Sequence, residues 1–234
     1  GAKVDIAAQE RAAAEAGVEI IWDLSHAAGL IDLKLAEQGA SYAVGCGYKY
    51  LNGGPGAPAF LHVRPERLEG LEQPVSGWMG HAQPFAFSDV YEGAAGIERF
   101  AAGTPPILAV AALDGALDVF DGLDMARLEA KARALGDLFL SRTAELGLDS
   151  VSPGVGEPRG GHVSLRHPEG YAIVQALIAR GVVGDFRSPD LMRFGFSPLI
   201  LSYAQVFDAA AALVEVVRAG AYQDPAFQRR AAVT

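Results

Sequence analysis

Helix-forming segments that end at glycine alternate with short apolar runs in the first part of this 234-residue chain. The alanine-rich residues 7–16 favour a helix, and Gly17 is placed to end it. Residues 18–22 then have the pattern of a buried strand. A second short helix (33–38) precedes a second short strand (41–44). Alternation of this kind predicts an α/β fold with a parallel-rich sheet.

Three polar residues mark the predicted starts of further helices. Asp32 precedes the helix at 33–38, Thr104 precedes Pro105 and Pro106, and Asp124 precedes a long leucine-containing segment at 125–146. Between the first two of these helices there is a candidate strand at 57–63, and residues 64–100 after it form an irregular stretch. A stretch of this length usually carries function, so we expect a role for it.

The second half of the chain has its own order of elements. It predicts a strand (162–165), a helix (169–180), two strands (182–186 and 191–196) and a helix (203–219). This order is typical of a small α+β domain. We therefore predict two domains, residues 1–123 and residues 124–234.

Composition limits the classes of function. A formal charge of −9 without long runs of like charge disfavours nucleic acid and anionic membranes as partners. The chain's one cysteine, Cys46, cannot form an intrachain disulfide, and no apolar run is long enough to cross a bilayer. We expect a cytoplasmic metabolic protein whose partner is a small molecule.

Asp23 and Lys49 are the residues that point to chemistry. Asp23 closes an apolar strand, and Lys49 lies in a glycine-rich turn after the next one. Pyridoxal 5'-phosphate (PLP) needs an anion against its ring nitrogen and an amine at its aldehyde, so this pair suits PLP. The aromatic and glycine flanks should partly desolvate Lys49 and lower its pKa. The alternatives are a surface lysine beside a turn and an aspartate that caps a helix with help from Ser25.

Six stretches of the sequence resemble those of one protein family. The strings are WDLSHAAG (22–29), GCGYKYLNGGPGAPAF (45–60), GWMGH (77–81), GIERF (96–100), GTPPIL (103–108) and RFGFSPL (193–199). They resemble kynureninase, a PLP-dependent hydrolase of fold type I, the aspartate aminotransferase-like fold. The resemblance covers the C-terminal part of that family's longer polypeptide. It implies cleavage of a carbon–carbon bond in L-kynurenine or its 3-hydroxy form, in tryptophan catabolism on the route to NAD.

The resemblance also implies roles for the four residues nearest the cofactor. Lys49 would bind the cofactor aldehyde and move the substrate α-proton, and Asp23 would hold the pyridine nitrogen. His26 would contact the cofactor, although a lone histidine is more often structural. Tyr48 would contact the phosphate and relay a proton, or else simply pack the turn.

Three more distant residues complete the implied site. Trp78 and Thr104 would donate to the cofactor phosphate from the neighbouring subunit, which implies a homodimer with a shared active site. Their alternatives are packing for Trp78 and ordinary helix capping for Thr104. Arg193, a charge on an apolar strand, would bind the substrate carboxylate through two hydrogen bonds, or else form a structural ion pair.

Some features stay open or depart from the family. Ile200 and Leu201 stand where the family commonly has Tyr-Asn, and His81 has no assignable role from sequence. The histidines lack metal-ligand spacing, so we expect no metal. The rival hypotheses are another fold-type I PLP enzyme, such as a cysteine desulfurase or a class V aminotransferase, and a catalytically incompetent fragment that lacks the family's N-terminal region.

Overall fold

The computed structural model of the chain describes residues 1–229. The helices are α1 (Ile6–Glu15), α2 (Leu35–Gln38), α3 (Ile107–Leu117), α4 (Met125–Thr143), α5 (Gly170–Ile178), α6 (Tyr203–Arg218) and α7 (Pro225–Gln228). The strands are β1 (Ile21–Asp23), β2 (Tyr42–Cys46), β3 (Ala59–Val63), β4 (His162–Arg166), β5 (Asp185–Arg187) and β6 (Leu191–Gly195). Each predicted strand and helix therefore has a counterpart, with ends that differ by a few residues.

The described residues divide into two compact units. The N-terminal unit contains residues 5–29 and 33–122. The C-terminal unit contains residues 1–4, 30–32 and the described residues from Leu123 onward. Across residues 1–229, every helix is too short or too polar to serve as a membrane span.

The sheet of the N-terminal unit is mixed. Strand β1 pairs with β2 in parallel, as the intervening helix α2 predicts, and Asp23 lies opposite Val44. Strand β3 pairs with β2 in the antiparallel direction. The segment 47–58 between them contains no helix, so it makes a simple reversal of direction. The prediction of a parallel-rich sheet thus holds for one of the two strand pairs.

Two predicted helix caps are wrong. Helix α2 begins after Lys34, which has φ of 40°, whereas the Asp32 main-chain N–H donates to Glu129 at 2.9 Å. Helix α3 begins only after Pro106, and no side chain caps it. Thr104 and Pro105 each precede a proline, and a residue in that position avoids helical dihedral angles.

Two other predictions of helix ends are confirmed. The Asp124 carboxylate accepts hydrogen bonds from the main-chain N–H groups of Ala126 and Arg127, at 3.0 and 3.2 Å. After α4 and one further 3-10 turn, Gly147 takes φ of 61° and ends the helix. Since only glycine adopts this conformation without strain, the position depends on its residue type.

The C-terminal unit has a well-packed core between an antiparallel sheet and three helices. The strand order is β4-β6-β5, and α4, α5 and α6 contribute buried side chains. Phe139 of α4 packs its ring 4.8 Å from Phe194 and 5.4 Å from Phe196. By contrast, Ile21 and Val44 of the N-terminal sheet are 68% and 42% exposed.

Candidate active site

Asp23 lies at the end of β1, where the chain leaves the sheet in a tight turn. Its Oδ1 atom accepts a hydrogen bond of 2.8 Å from the Ser25 main-chain N–H. Hydrogen bonding from Ser25, helped by the nearby charges of Lys49 and His26, holds the pKa of Asp23 below its usual value. The carboxylate is therefore ionised at neutral pH, as an anion that faces a cofactor nitrogen must be.

Lys49 lies in the turn that follows β2. The turn begins where the Gly47 N–H donates to the Pro58 carbonyl at 2.9 Å. It closes where Asn52, with φ of 60°, donates its main-chain N–H to the Lys49 carbonyl at 3.0 Å. Asparagine tolerates this left-handed conformation better than most residues, so the sequence supports the turn locally.

The Lys49 amine lies between a thiol and an aromatic ring. Its Nζ atom is 3.5 Å from Cys46 Sγ and 4.7 Å from the centre of the Tyr48 ring. The Tyr48 side chain, and secondarily Cys46, raise the pKa of Lys49, although burial acts in the opposite direction. The prediction of a lowered pKa is thus wrong for the structure, because the partly exposed ammonium gains more from these neighbours than burial costs it.

The turn after Asp23 packs directly against the turn that carries Lys49. A Cβ atom built on Gly29 would lie 2.5 Å from the Tyr50 carbonyl oxygen, so the two main chains touch. Cys46 Sγ lies 3.9 Å from the Ser25 carbonyl oxygen. Because β1 and β2 are parallel, their carboxyl ends meet at one edge of the sheet, as in other α/β ligand sites.

The structure therefore brings four predicted residues to one edge of the N-terminal sheet. Asp23 and His26 lie on the first turn, and Tyr48 and Lys49 lie on the second. The charges of both Lys49 and His26 act on Asp23.

Helix α3 supports the Lys49 turn in a way that sequence reasoning missed. Cβ atoms built on Gly47 and Gly53 would lie 3.0 and 2.9 Å from the Leu113 side chain. The glycines near Lys49 thus allow close packing on α3. The sequence analysis also assigned no place near Lys49 to Cys46, which is partly exposed with its sulfur 3.5 Å from the Lys49 amine. Its spacing of three residues from Lys49 was the available signal.

Trp78 and Thr104 lie on two segments that touch each other. Trp78 begins a 3-10 turn (Trp78–Gly80) and packs edge-on to Phe85 at 5.7 Å. A Cβ atom on Gly77 would lie 1.6 Å from the Ala102 carbonyl, which places residues 77 and 102 in direct contact. Within residues 1–229, no hydrogen bond or ring contact joins Trp78 or Thr104 to the cluster at Lys49.

His81 has both ring nitrogens engaged inside the irregular loop. Its Nδ1 atom accepts from the Gln83 N–H at 2.8 Å, and Nε2 lies 3.2 Å from the Val90 carbonyl oxygen. A nitrogen that accepts from an N–H is unprotonated, so Nε2 carries the hydrogen and donates. The ring thereby connects two parts of the loop.

Arg193 lies in the C-terminal unit, on β6 directly opposite Asp185 of β5. Its Nη2 atom forms an ion pair with Asp185 Oδ2. The structure thus contains the ion pair that was the alternative role for Arg193. Binding of the substrate carboxylate by Arg193 stays a prediction. Near the end of the resemblance, Ile200 is 66% exposed.

Among the described side chains, no group of three or more His, Cys, Asp or Glu residues is arranged to hold a metal ion.

Comparison with protein families gives a match to the kynureninase C-terminal domain over residues 128–213. Among curated proteins, the kynureninase of Pseudomonas fluorescens is 47% identical over 224 residues, which are 94% of this chain and 54% of that protein. The kynureninase of Deinococcus radiodurans is 45% identical over 221 residues, 93% of this chain and 54% of that protein. The chain thus spans about half the length of these relatives.

Solved structures share the fold at low sequence identity. The cysteine desulfurase of Thermococcus onnurineus NA1 has a TM-score of 0.78 and 18% identity, covering 94% of this chain and 57% of that one. The alanine–glyoxylate aminotransferase of Nostoc sp. has a TM-score of 0.69 and 20% identity, covering 93% and 59%. The C-DES structure with glycine linked to its PLP cofactor has a TM-score of 0.67 and 19% identity, covering 81% and 49%.

These structures establish the fold alone, which is the α/β fold type I of PLP-dependent enzymes. The curated relatives, at more than twice that identity, are kynureninases. Together with the match to the kynureninase C-terminal domain, they show that the chain is similar, along nearly its whole length, to the C-terminal part of kynureninases.

Proposed function

We propose that the protein hydrolyses L-kynurenine or 3-hydroxykynurenine, giving L-alanine and anthranilate or 3-hydroxyanthranilate, with PLP as its cofactor. Two kynureninases whose sequences align with nearly the whole of this chain support this activity. The observation that carries the proposal is the contact between the turn after Asp23 and the turn of Lys49. An amine and an ionised carboxylate on adjoining turns are the two groups that PLP requires.

The residues present fit the cofactor chemically. Lys49 is a primary amine in a partly buried position, and Asp23 is held ionised by Ser25. The phenol of Tyr48 and the imidazole of His26 lie on the same two turns and add hydrogen-bonding groups. When bound, PLP supplies an electron sink for the carbanion formed at the substrate α-carbon.

Each residue would then have a distinct task. Asp23 would keep a proton on the pyridine nitrogen through its negative charge. Lys49 Nζ would bind the cofactor aldehyde and, once released, take the proton from the substrate α-carbon. Since nearby Tyr48 raises the pKa of Lys49, the amine must lose a proton before it can form a bond to carbon. That proton would pass to solvent, and the Tyr48 phenol beside the amine would relay it by accepting one proton while it gives up its own.

The remaining roles concern binding. We propose that Trp78 and Thr104 donate to the cofactor phosphate of a neighbouring subunit, which would make the protein a homodimer with shared active sites. Arg193 would bind the substrate α-carboxylate through its planar guanidinium. A cytoplasmic location belongs to the same proposal.

The test is spectroscopic and chemical. The protein is mixed with PLP, the absorbance of the bound cofactor is recorded, and anthranilate formed from L-kynurenine is followed by its fluorescence. Lys49→Ala should abolish both the cofactor band and product, because no other group supplies the amine. The matched control is Lys34→Gln, which removes a lysine outside the two turns and should preserve both signals.

The rival hypotheses give different results in the same experiment. A cysteine desulfurase would release sulfur from cysteine, and an aminotransferase would convert a keto acid; neither would produce anthranilate. A catalytically incompetent fragment would show no band with PLP. Anthranilate production that persists in Lys49→Ala would refute the proposed role of Lys49.

A further inference from the structure

Asp185 lies between two arginines on the antiparallel pair β5–β6. It is directly opposite Arg193 in the strand register, and its Oδ2 atom accepts a hydrogen bond from Arg193 Nη2. The same oxygen lies 3.0 Å from Nη2 and 3.1 Å from Nε of Arg187. One carboxylate thus faces two guanidinium groups, and this cluster of three side chains keeps a net positive charge.

The contact between Asp185 and Arg193 uses only part of the guanidinium. Nη2 carries two hydrogens, one in each of the two donor pairs that a guanidinium can present to a carboxylate. A single hydrogen bond through Nη2 therefore leaves one complete donor pair. Within residues 1–229, Nε and Nη1 of Arg193 have no hydrogen-bond partner.

Asp185 and Arg193 are buried enough for Asp185 to hold the Arg193 guanidinium in place, and exposed enough for a ligand to reach that guanidinium. The Arg193 side chain is 30% exposed and that of Asp185 is 37% exposed. Asp185 has a short side chain on a strand, whereas Arg193 has a long side chain with considerable rotamer freedom. An anchored carboxylate removes much of that freedom before a ligand arrives, which favours binding.

We infer that Asp185 is a positioning residue: it orients the Arg193 guanidinium so that the unused donor pair receives the α-carboxylate of the amino-acid substrate. Arg187 shares the Asp185 carboxylate, so Asp185 does not cancel the attraction of the cluster for an anion. The inference rests on the proposed function, in which Arg193 binds substrate.

The test compares a ligand that has the carboxylate with one that lacks it. In the PLP-loaded enzyme, Asp185→Asn should raise KM for L-kynurenine about tenfold and change kcat less than threefold. Binding of L-alanine, followed through the cofactor absorbance, should weaken by a similar factor, whereas binding of ethylamine should stay the same. In an Arg193→Gln background, the substitution Asp185→Asn should have no further effect.

The matched control is Asp190→Asn, which removes the carboxylate that Arg166 contacts at 2.8 and 2.9 Å in the same unit. It should leave KM within twofold of the wild type. A lower KM in Asp185→Asn would show that Asp185 competes with substrate, and equal weakening of ethylamine would show a general structural effect. Either result overturns the inference.

A second variant covers the case in which Asp185→Asn does not fold. Asp185→Glu keeps the charge but moves it by one methylene group, and KM should rise about threefold; an unchanged KM overturns the inference. Failure of the proposed function is recognisable separately, because wild type would then make no anthranilate. The contrast between L-alanine and ethylamine would still report carboxylate recognition.

Discussion

Gly29 and Tyr50 touch through their main chains. Gly29 has φ of 80°, and a Cβ atom at this position would lie 2.5 Å from the Tyr50 carbonyl oxygen. The Tyr50 carbonyl belongs to the main chain, so it cannot move aside as a flexible side chain could. This contact fixes the distance between the turn of Asp23 and the turn of Lys49.

Replacement of Gly29 by alanine should therefore separate the two turns. We expect a loss of about 2–3 kcal/mol in the free energy of unfolding, from the left-handed backbone and from the clash together. Cofactor affinity should fall at least tenfold, because Tyr50 is adjacent to Lys49. Urea unfolding and titration with PLP would measure the two effects.

The control for this prediction is Gly17→Ala. Gly17 has φ of 66°, but nothing lies within 4 Å of a Cβ atom built there. It should cost about 1 kcal/mol from backbone strain alone and leave PLP affinity unchanged. Equal PLP affinities in the two alanine variants would contradict the role assigned to the Gly29 contact.

Ser25 should control the ionisation of Asp23. The hydrogen bond from the Ser25 hydroxyl is the largest cause of the lowered pKa, so Ser25→Ala, which keeps the main-chain N–H, should move the pKa of Asp23 part of the way toward 3.8. Because the folded-state pKa is depressed, the stabilising contribution of Asp23 is present above about pH 4 and is lost as pH falls through the folded value. Titration of the carboxyl carbon by NMR would measure the shift, and an unchanged pKa in Ser25→Ala would contradict it.

Arg159 should be essential for the loop before β4. Its side chain is 1% exposed and donates to the carbonyls of Pro153 and Gly154 at 2.9 and 2.8 Å, besides pairing with Asp137 at 2.5 Å. Arg159→Met should lower the free energy of unfolding by about 3–5 kcal/mol, because it removes the cation that pairs with Asp137 and the donor to three carbonyls, those of Arg133, Pro153 and Gly154. Denaturant unfolding would measure the loss.

The matched control is the exposed pair of Arg218 and Glu145, whose side chains are 61% and 45% exposed. Arg218→Met should cost less than about 1 kcal/mol, since water screens such pairs. A similar cost for the two substitutions would show that burial does not determine the effect.

His167 should make the C-terminal unit sensitive to mild acid. Burial lowers the pKa of His167 below 6.5, partly opposed by Glu169, while Nδ1 accepts from the Glu169 N–H at 3.0 Å. The unfolded chain then binds a proton more readily than the folded chain, so stability is lost as pH falls below about 6.5. The loss should stay below about 1 kcal/mol, because the imidazole is partly exposed.

The comparison for this prediction is His167→Gln, which removes the titrating group and should remove this part of the pH dependence. Urea unfolding at about pH 7.5 and pH 5.5 gives the slope for both proteins. An identical slope in both would exclude His167 as its origin.

Local signals in the sequence were sufficient where a residue acts on its own segment. Asp124 and Gly147 bound α4 through main-chain hydrogen bonds and a left-handed dihedral angle, and both effects depend on residue type. The predicted cap at Thr104 is wrong because Pro105 precedes Pro106 and therefore avoids helical dihedral angles, so the helix begins only after Pro106.

Features that join distant segments could not be read from local pattern. The pKa of Lys49 depends on the positions of Tyr48 and Cys46 beside the amine. These neighbours raise the pKa by more than burial lowers it. The partner of Arg193 is eight residues away on another strand, so only the register of β5 and β6 reveals it. The proximity of Asp23 to Lys49 was inferred from the resemblance and from the parallel order of their strands.

The position of Cys46 has a practical consequence for chemical labelling. It is the chain's single thiol, it is partly accessible, and its sulfur lies 3.5 Å from the Lys49 amine. A maleimide dye would therefore attach at one place only, next to the amine. Ligands that fill the space around that amine should slow the reaction, so the rate of dye incorporation becomes a direct assay of occupancy that requires no catalytic turnover.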